Sequence, residues 1–296
     1  YIAVNFVDRV FDNPGMFSGF ENLMALYGYS LQVYADFSGY TDIAIGIALI
    51  LGFRLPKNFN SPYKADNCGD FWKRWHISLS SWLKDYLYIP MGGNRGGSLF
   101  SYVSLALIIV FIYLLSGSLA LLFGILSVIF LTLLLGEIFP RFNKWYLTNI
   151  NIMLTMLIGG LWHGASWNFV LWGGLNGLGI VIYKLWKNIS PWKNKSKWMY
   201  KILGIIITFN FVTFTRIWFR SGSINSWDQM DESHNILSEW FTANEILNQL
   251  FFNFQWNLIG DVISVYSHVF VVIIIGFLIH FIPEKWKFWY REKFSK

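Results

Sequence analysis

Between Lys144 and Lys184 the chain carries no charged side chain. That stretch is long enough for two passes through a bilayer, since about 20 apolar residues cross the hydrocarbon core as a helix. At its centre lies Gly159-Gly-Leu-Trp-His-Gly-Ala-Ser-Trp167, which puts His163 among glycines and tryptophans with apolar runs on both sides. In hydrocarbon a titratable side chain is tolerated mainly where it faces a protein interior or a water-filled cavity, so such a histidine is a functional-site hypothesis by default. The glycines add to it, because they let a backbone or ligand approach closely and let a helix break at membrane depth. A plainer reading stands beside it, in which His163 is buried and only hydrogen-bonds a neighbouring helix.

The rest of the composition agrees with a membrane setting. The chain is 55% hydrophobic and 14% charged, where a soluble domain carries about 25% charged residues. The expected fold is all-α, a polytopic transmembrane helical bundle with interfacial and re-entrant helices around a central tunnel. One membrane-embedded domain is expected over residues 1–296, with further N-terminal helices belonging to the full-length protein, because the sequence starts at Tyr1 and its first apolar run begins abruptly. The single cysteine, Cys68, excludes an intrachain disulfide, and no Cys/His cluster has zinc-site spacing. The net charge of +6 sits in loops beside apolar spans rather than in one patch, which argues for anionic lipid head groups and against nucleic acid.

Residues 23–53 form a long apolar run interrupted by Asp36, Gly39, Thr41 and Asp42, read either as a tilted span with an interfacial lead-in or as a broken helix. Asp36 and Asp42 are placed to orient a histidine or a loop, or to cap a helix. Helical spacing over residues 70–86 gathers Phe71, Trp72, Trp75, Leu79, Trp82, Leu83 and Tyr86 within an arc of about 120°. This predicts one continuous helix lying in the interface, with His76 just past the edge of its apolar face. Residues 102–138 read as a hairpin about Ser116-Gly117-Ser118, and residues 146–162 and 167–183 as two spans either side of His163. Residues 200–219 read as a span that ends at Arg216 and Arg220, and residues 262–282 as the last span.

Basic loops mark the cytoplasmic side of such a bundle. Residues 54–101, 139–145, 184–201 and 283–296 are therefore expected in the cytoplasm, and residues 116–118 and the acidic segment 221–261 outside. His163 then lies well inside the membrane or in its outer half, and His76 at the cytoplasmic boundary. A histidine titrating near neutral pH suits general-base work, such as taking a proton from an attacking hydroxyl. Neither His76 nor His163 has a companion at ligand spacing, so no metal site is expected. Lys73, Arg74 and Arg95, on the expected cytoplasmic face, are candidates for contacting donor phosphates, with lipid head-group contact as the plainer role. The run Met91-Gly-Gly-Asn-Arg-Gly-Gly97 reads as a turn, or as backbone N–H groups presented to a phosphate. His268 and His280 read as structural or interfacial and His234 as solvated. A proton-relaying transporter is the competing class, but it calls for an inverted repeat with paired broken helices, and the sequence has one clear His-Gly break.

Several motifs resemble one family. Asp36-Phe-Ser-Gly-Tyr-Thr-Asp42, Pro56-Lys-Asn-Phe-Asn-Ser-Pro-Tyr63, Asp70-Phe-Trp-Lys-Arg-Trp-His-Ile-Ser-Leu-Ser80, Asp85-Tyr-Leu-Tyr-Ile-Pro90, Gly92-Gly-Asn-Arg95 and Leu161-Trp-His-Gly-Ala165 are similar to the membrane-bound O-acyltransferase family. The resemblance is to its bacterial branch, which includes alginate O-acetylation and, as a cousin, teichoic acid D-alanylation. It covers most of residues 30–100 and 150–185. It implies that His163 is the catalytic histidine and His76 the second histidine of the Arg-Trp-His motif. It implies no resident cofactor, an acyl thioester donor such as acetyl-CoA drawn from the cytoplasm, and an acyl group passed outward through the bacterial inner membrane. It also implies an extracytoplasmic acetyltransferase partner or a glycan acceptor. The 87 residues from His76 to His163 exceed the family's basic pattern, and the 102–138 hairpin is the expected insertion.

Overall fold

The computed structural model describes residues 1–191, 198–224, 239–283, 286 and 293. Its regular secondary structure is helical, with no strand among the described residues. A short helix α1 (Asp8–Asp12) leads into α2 (Gly19–Ile50), which begins at a reciprocal cap: Ser18 Oγ accepts from Glu21 N–H, and the Glu21 carboxylate accepts from Ser18 N–H. The helix runs unbroken for 32 residues, about 48 Å at 1.5 Å per residue, against a hydrocarbon core of about 30 Å. The two readings of residues 23–53 are thereby decided for a single long helix. Asp36 and Asp42 lie inside it and exposed, and so cap nothing.

The predicted continuous helix over residues 70–86 is not what forms. Helix α3 (Cys68–Trp72) stops, His76 turns into the left-handed region at φ 44°, and α4 (Ile77–Leu83) starts afresh before a π-helical turn over Lys84–Tyr88. The cause is the extended stretch before it, which competes with helical bonding: Ile77 N–H donates to Asn58 O and Asn60 N–H to Arg74 O, each at 2.9 Å. Of the predicted apolar face, Phe71, Trp75 and Leu83 are buried, while Trp82 and Tyr86 stay exposed.

Helices α5 (Leu99–Ser116) and α6 (Leu119–Ile138) form the expected hairpin, closed by Gly117 at φ 61°. Helix α7 (Pro140–Leu161) and helix α8 (Trp167–Ile189) cross at glycines, where a methyl on Gly160 would overlap the Phe169 carbonyl oxygen and one on Gly173 that of Met156. Small residues at a crossing let membrane helices approach backbone to backbone. Helix α9 (Trp198–Ser223) continues through Arg216 and Arg220, which therefore do not end the span. Helix α10 (Phe241–Phe251) packs on α2 and α9. The predicted last span is bent by 86° between α11 (Ile259–Val265) and α12 (Ser267–Phe281).

By length and composition, α2, α8 and α9 are able to cross a membrane, and the bent pair counts as a fourth pass if taken as one span. Helix α7 falls short of that apolar content because it buries Thr148, Asn149, Asn151 and Thr155. Two cores hold the bundle. Phe6, Phe11, Leu26 and Tyr29 pack with Ile217, Ile246 and Phe270 in one, and Tyr63, Phe71, Trp75 and Val212 make a second, aromatic one. The second core forms the floor of the site.

Candidate active site

His163 sits in the break between α7 and α8, where its N–H still donates to Gly160 O at 3.0 Å. Ser166 then caps α8, accepting from Asn168 N–H. The break is pinned from the segment expected outside the membrane. The Glu239 carboxylate accepts from Ser166 Oγ at 2.9 Å and from Trp167 N–H at 3.1 Å, and Asn168 Nδ2 donates to Glu239 O at 2.7 Å. An anion at a helix N-terminus meets unpaired N–H groups and the positive end of the helix dipole. Around the imidazole stand Trp172 and Phe219, each with ring centroid 5.1 Å away, and Phe169 at 6.1 Å. No described group hydrogen-bonds the ring.

His76 reaches the same place from the other half of the chain. Asn58 Oδ1 accepts from Ser78 N–H at 3.0 Å and from Ser78 Oγ at 2.9 Å, and lies 3.2 Å from His76 Nδ1. Since that oxygen is already an acceptor, Nδ1 carries the proton and Nε2 is left with its lone pair. Burial pushes the His76 pKa down from the ordinary 6.5, which favours the neutral, proton-accepting form. The left-handed backbone at His76 aims a side chain that an unbroken helix would have left on its edge.

The two histidines share one narrow cavity, lined also by Phe71, Trp72, Trp75, Trp172, Asn176, Arg216 and Phe219. The volume open to the centre of a water molecule is about 60 Å³, room for a few waters and far too little for a coenzyme. The Trp162 ring neighbours both, its centroid 6.5 Å from that of His76 and 5.0 Å from that of His163. The two histidines, expected at different depths, thus line one cavity.

Two polar residues of the cavity were not singled out as site residues in the sequence. Asn176 is buried and donates to Trp172 O at 2.8 Å. Arg216, 4% exposed, donates from Nη2 to Tyr63 Oη at 2.9 Å and lies 4.9 Å from the Trp75 ring centroid. Tyr63 Oη in turn donates to Ser30 O at 2.5 Å. Burial pushes the Tyr63 phenol up to about 12, so it remains neutral despite the cation beside it.

None of the three expected phosphate-contacting cations lines this cavity. Arg74 is held by Asp70 at 2.7 Å, while Lys73 and Arg95 are exposed. The glycine run around Arg95 is a turn tied down by Asn151, which donates to Gly93 O and Gly96 O. A larger cleft between α8 and α9, about 710 Å³ by the same measure, is lined by Cys68, Tyr183, Trp186, Lys187, Tyr200 and Lys201. His280 is structural, accepting from Tyr63 N–H at 3.2 Å, and His268 is exposed. His234 lies outside the described residues.

Comparison with known proteins finds similarity over part of the chain. The model of the membrane-bound O-acyltransferase family matches residues 3–136, a range that includes His76 and stops before His163. Over 224 residues the chain is 37% identical to a peptidoglycan O-acetyltransferase of Helicobacter pylori, a match covering 76% of this chain and 33% of the relative. It is 37% identical over 181 residues to a probable alginate O-acetylase of Pseudomonas aeruginosa, covering 60% of this chain and 26% of that protein. A teichoic acid D-alanyltransferase of Bacillus subtilis is 29% identical over 198 residues, covering 65% and 39%. The chain thus spans roughly a third of the length of these relatives.

Proposed function

We propose that this chain is a member of the membrane-bound O-acyltransferase family, to whose model and relatives it is similar, and that it takes an acyl group, acetyl in the first instance, from a cytoplasmic thioester and passes it outward for O-acylation of an extracytoplasmic polysaccharide. The observation that carries this reading is the convergence of His76 and His163 on one apolar cavity. Neither ring faces an acidic side chain there, so each is suited to remain neutral and accept a proton.

In the proposed reaction His163 takes the proton of the acceptor hydroxyl as its oxygen attacks the thioester carbonyl. The C–O bond forms, the C–S bond breaks, and the proton passes to the leaving thiolate. His76, with Nδ1 committed to Asn58, offers Nε2 to the same proton traffic. Aromatic walls exclude bulk water, which would otherwise compete as acceptor. The donor is too large for the cavity, so only its acyl end enters. Its phosphates would stay on the cytoplasmic side, where Lys187 and Lys201 of the larger cleft, with Lys73, Arg74 and Arg95, are the candidate cations. The orientation follows from the basic loops, and an acceptor or an extracytoplasmic acetyltransferase would meet the acyl group near Glu239.

The relatives transfer either acetyl or D-alanyl groups by name, so the donor is part of the test. Membranes carrying the full-length protein, incubated with radiolabelled acetyl-CoA, should pass label into extracytoplasmic polysaccharide, and His163→Ala should abolish this while inserting normally. Undiminished label with the variant would refute the role of His163. Label from activated D-alanine but not from acetyl-CoA would replace acetyl with aminoacyl transfer.

A further inference from the structure

Arg216 is the charged group in the site for which the scheme above has no use. It lies in the C-terminal third of the apolar helix α9 and is 4% exposed, and no carboxylate pairs with it among the described residues. The neighbouring Arg220, by contrast, has Asp8 at 3.0 Å. A cation held out of water without a counter-charge is costly, and membrane segments keep such residues mainly where they act.

Its environment fixes it rather than neutralising it. Nη2 is committed to Tyr63, whose hydroxyl is in turn fixed by Ser30 on α2. The guanidinium lies over the Trp75 ring, 4.9 Å from its centroid. Its Nε–H, fully buried, has no hydrogen-bond partner among the described residues, and the same holds for the indole Nε1–H of Trp72. Both residues line the cavity shared by His76 and His163. Two residues that each carry an unmatched buried N–H, one of them cationic, therefore line the cavity in which the scheme above places the reacting carbonyl.

We propose that Arg216 is a further catalytic residue, the electrophile that stabilises the negative charge developing on the acyl carbonyl oxygen, with Trp72 as its secondary donor. This deepens the acyl-transfer reading and rests on it. As the hydroxyl oxygen adds, the carbonyl π pair moves onto oxygen, and the resting cation gains its counter-charge only in that state. Donors fixed in advance in a dry site act more strongly on a developing charge than on a neutral ground state. The histidines move the proton and the guanidinium meets the electron pair, so no group has to do both.

The test compares the full-length parent with Arg216→Met and Arg216→Lys in membranes supplied with radiolabelled acetyl-CoA, each variant checked for folding by its thermal transition in detergent. Removal of one such donor is expected to lower kcat by about 100-fold to 1000-fold with little change in KM for acetyl-CoA, and Lys should recover part of the loss. A thioether analogue of the donor, which has no carbonyl, should bind parent and variants equally, a result that a merely structural arginine would not give. Folded Arg216→Met with parental kcat would overturn the proposal while leaving the acyl-transfer reading intact. If that variant does not fold, parental kcat in Arg216→Lys with a raised KM overturns it instead. Absence of transfer by the parent would bring down the underlying reading, and this proposal with it.

Discussion

His76 holds a left-handed backbone conformation at φ 44°, which costs a residue with a β-carbon about 1–3 kcal/mol. The surrounding hydrogen bonds offset that cost, chiefly those converging on Asn58. They fix the tautomer as well as the position, and burial holds the pKa below the ordinary 6.5. If transfer requires neutral His76, the acid limb of its pH profile lies below pH 6.5, because the neutral form is lost only as pH falls through the lowered value. Asn58→Asp places a carboxylate beside Nδ1, which favours the imidazolium and raises the pKa. The acid limb should then move to higher pH, and an unmoved limb would separate His76 from the proton transfer. His163 was legible in the sequence because a titratable residue inside an aromatic, uncharged context stands out, and His76, two residues after Arg74, because it sits at the edge of an apolar face within the Arg-Trp-His motif. Arg216 was not, because a cation near the end of an apolar run reads as an ordinary boundary residue. One signal was available: Arg216 and Arg220 stand at the end assigned to the outside, where the charge rule does not expect two arginines.

The elements differ in how far their sequence determines them. The hairpin of α5 and α6 needed only two apolar runs and a glycine able to take φ 61°. The segment around His76 has helical periodicity that continues across a break, because α3 and α4 both turn apolar residues inward. The break is imposed from outside, by backbone bonds to Asn58 and Asn60, and such pairing has no local signature. The α7–α8 crossing lies between these cases. Its glycines were visible as sites of close approach, but their partners were not. Gly173→Ala puts a methyl against the Met156 carbonyl and Gly160, and overpacking of this kind costs about 1–3 kcal/mol. The variant should show a lowered thermal transition in detergent and impaired transfer, since α7 and α8 carry His163 between them. Gly124→Ala, with nothing within 4 Å of the added carbon, should leave both unchanged.

At the scale of the molecule, the bundle brings a loop near the start of the chain, a break in its middle and a helix near its end to one cavity. Orientation is open to direct measurement. Cys68 lines the larger cleft and its thiol is pushed up to about 11, so topology is read in a Cys68→Ser background, which a membrane-impermeant maleimide does not label. Lys73→Cys should then react only when the cytoplasmic face is opened, and Leu119→Cys, beside the hairpin turn, from outside; the reverse pattern would invert the assigned topology. The central claim is that His76 and His163 form one proton-transferring unit, and the double-mutant cycle on transfer rate tests it most directly. Groups that act as a unit are strongly non-additive. His163→Ala should cost about 100-fold to 10,000-fold, the range for general-base catalysis, and adding His76→Ala should cost almost nothing more. If the two losses instead multiply, the histidines act in separate steps at separate places, and the shared cavity is not where the acyl group changes hands.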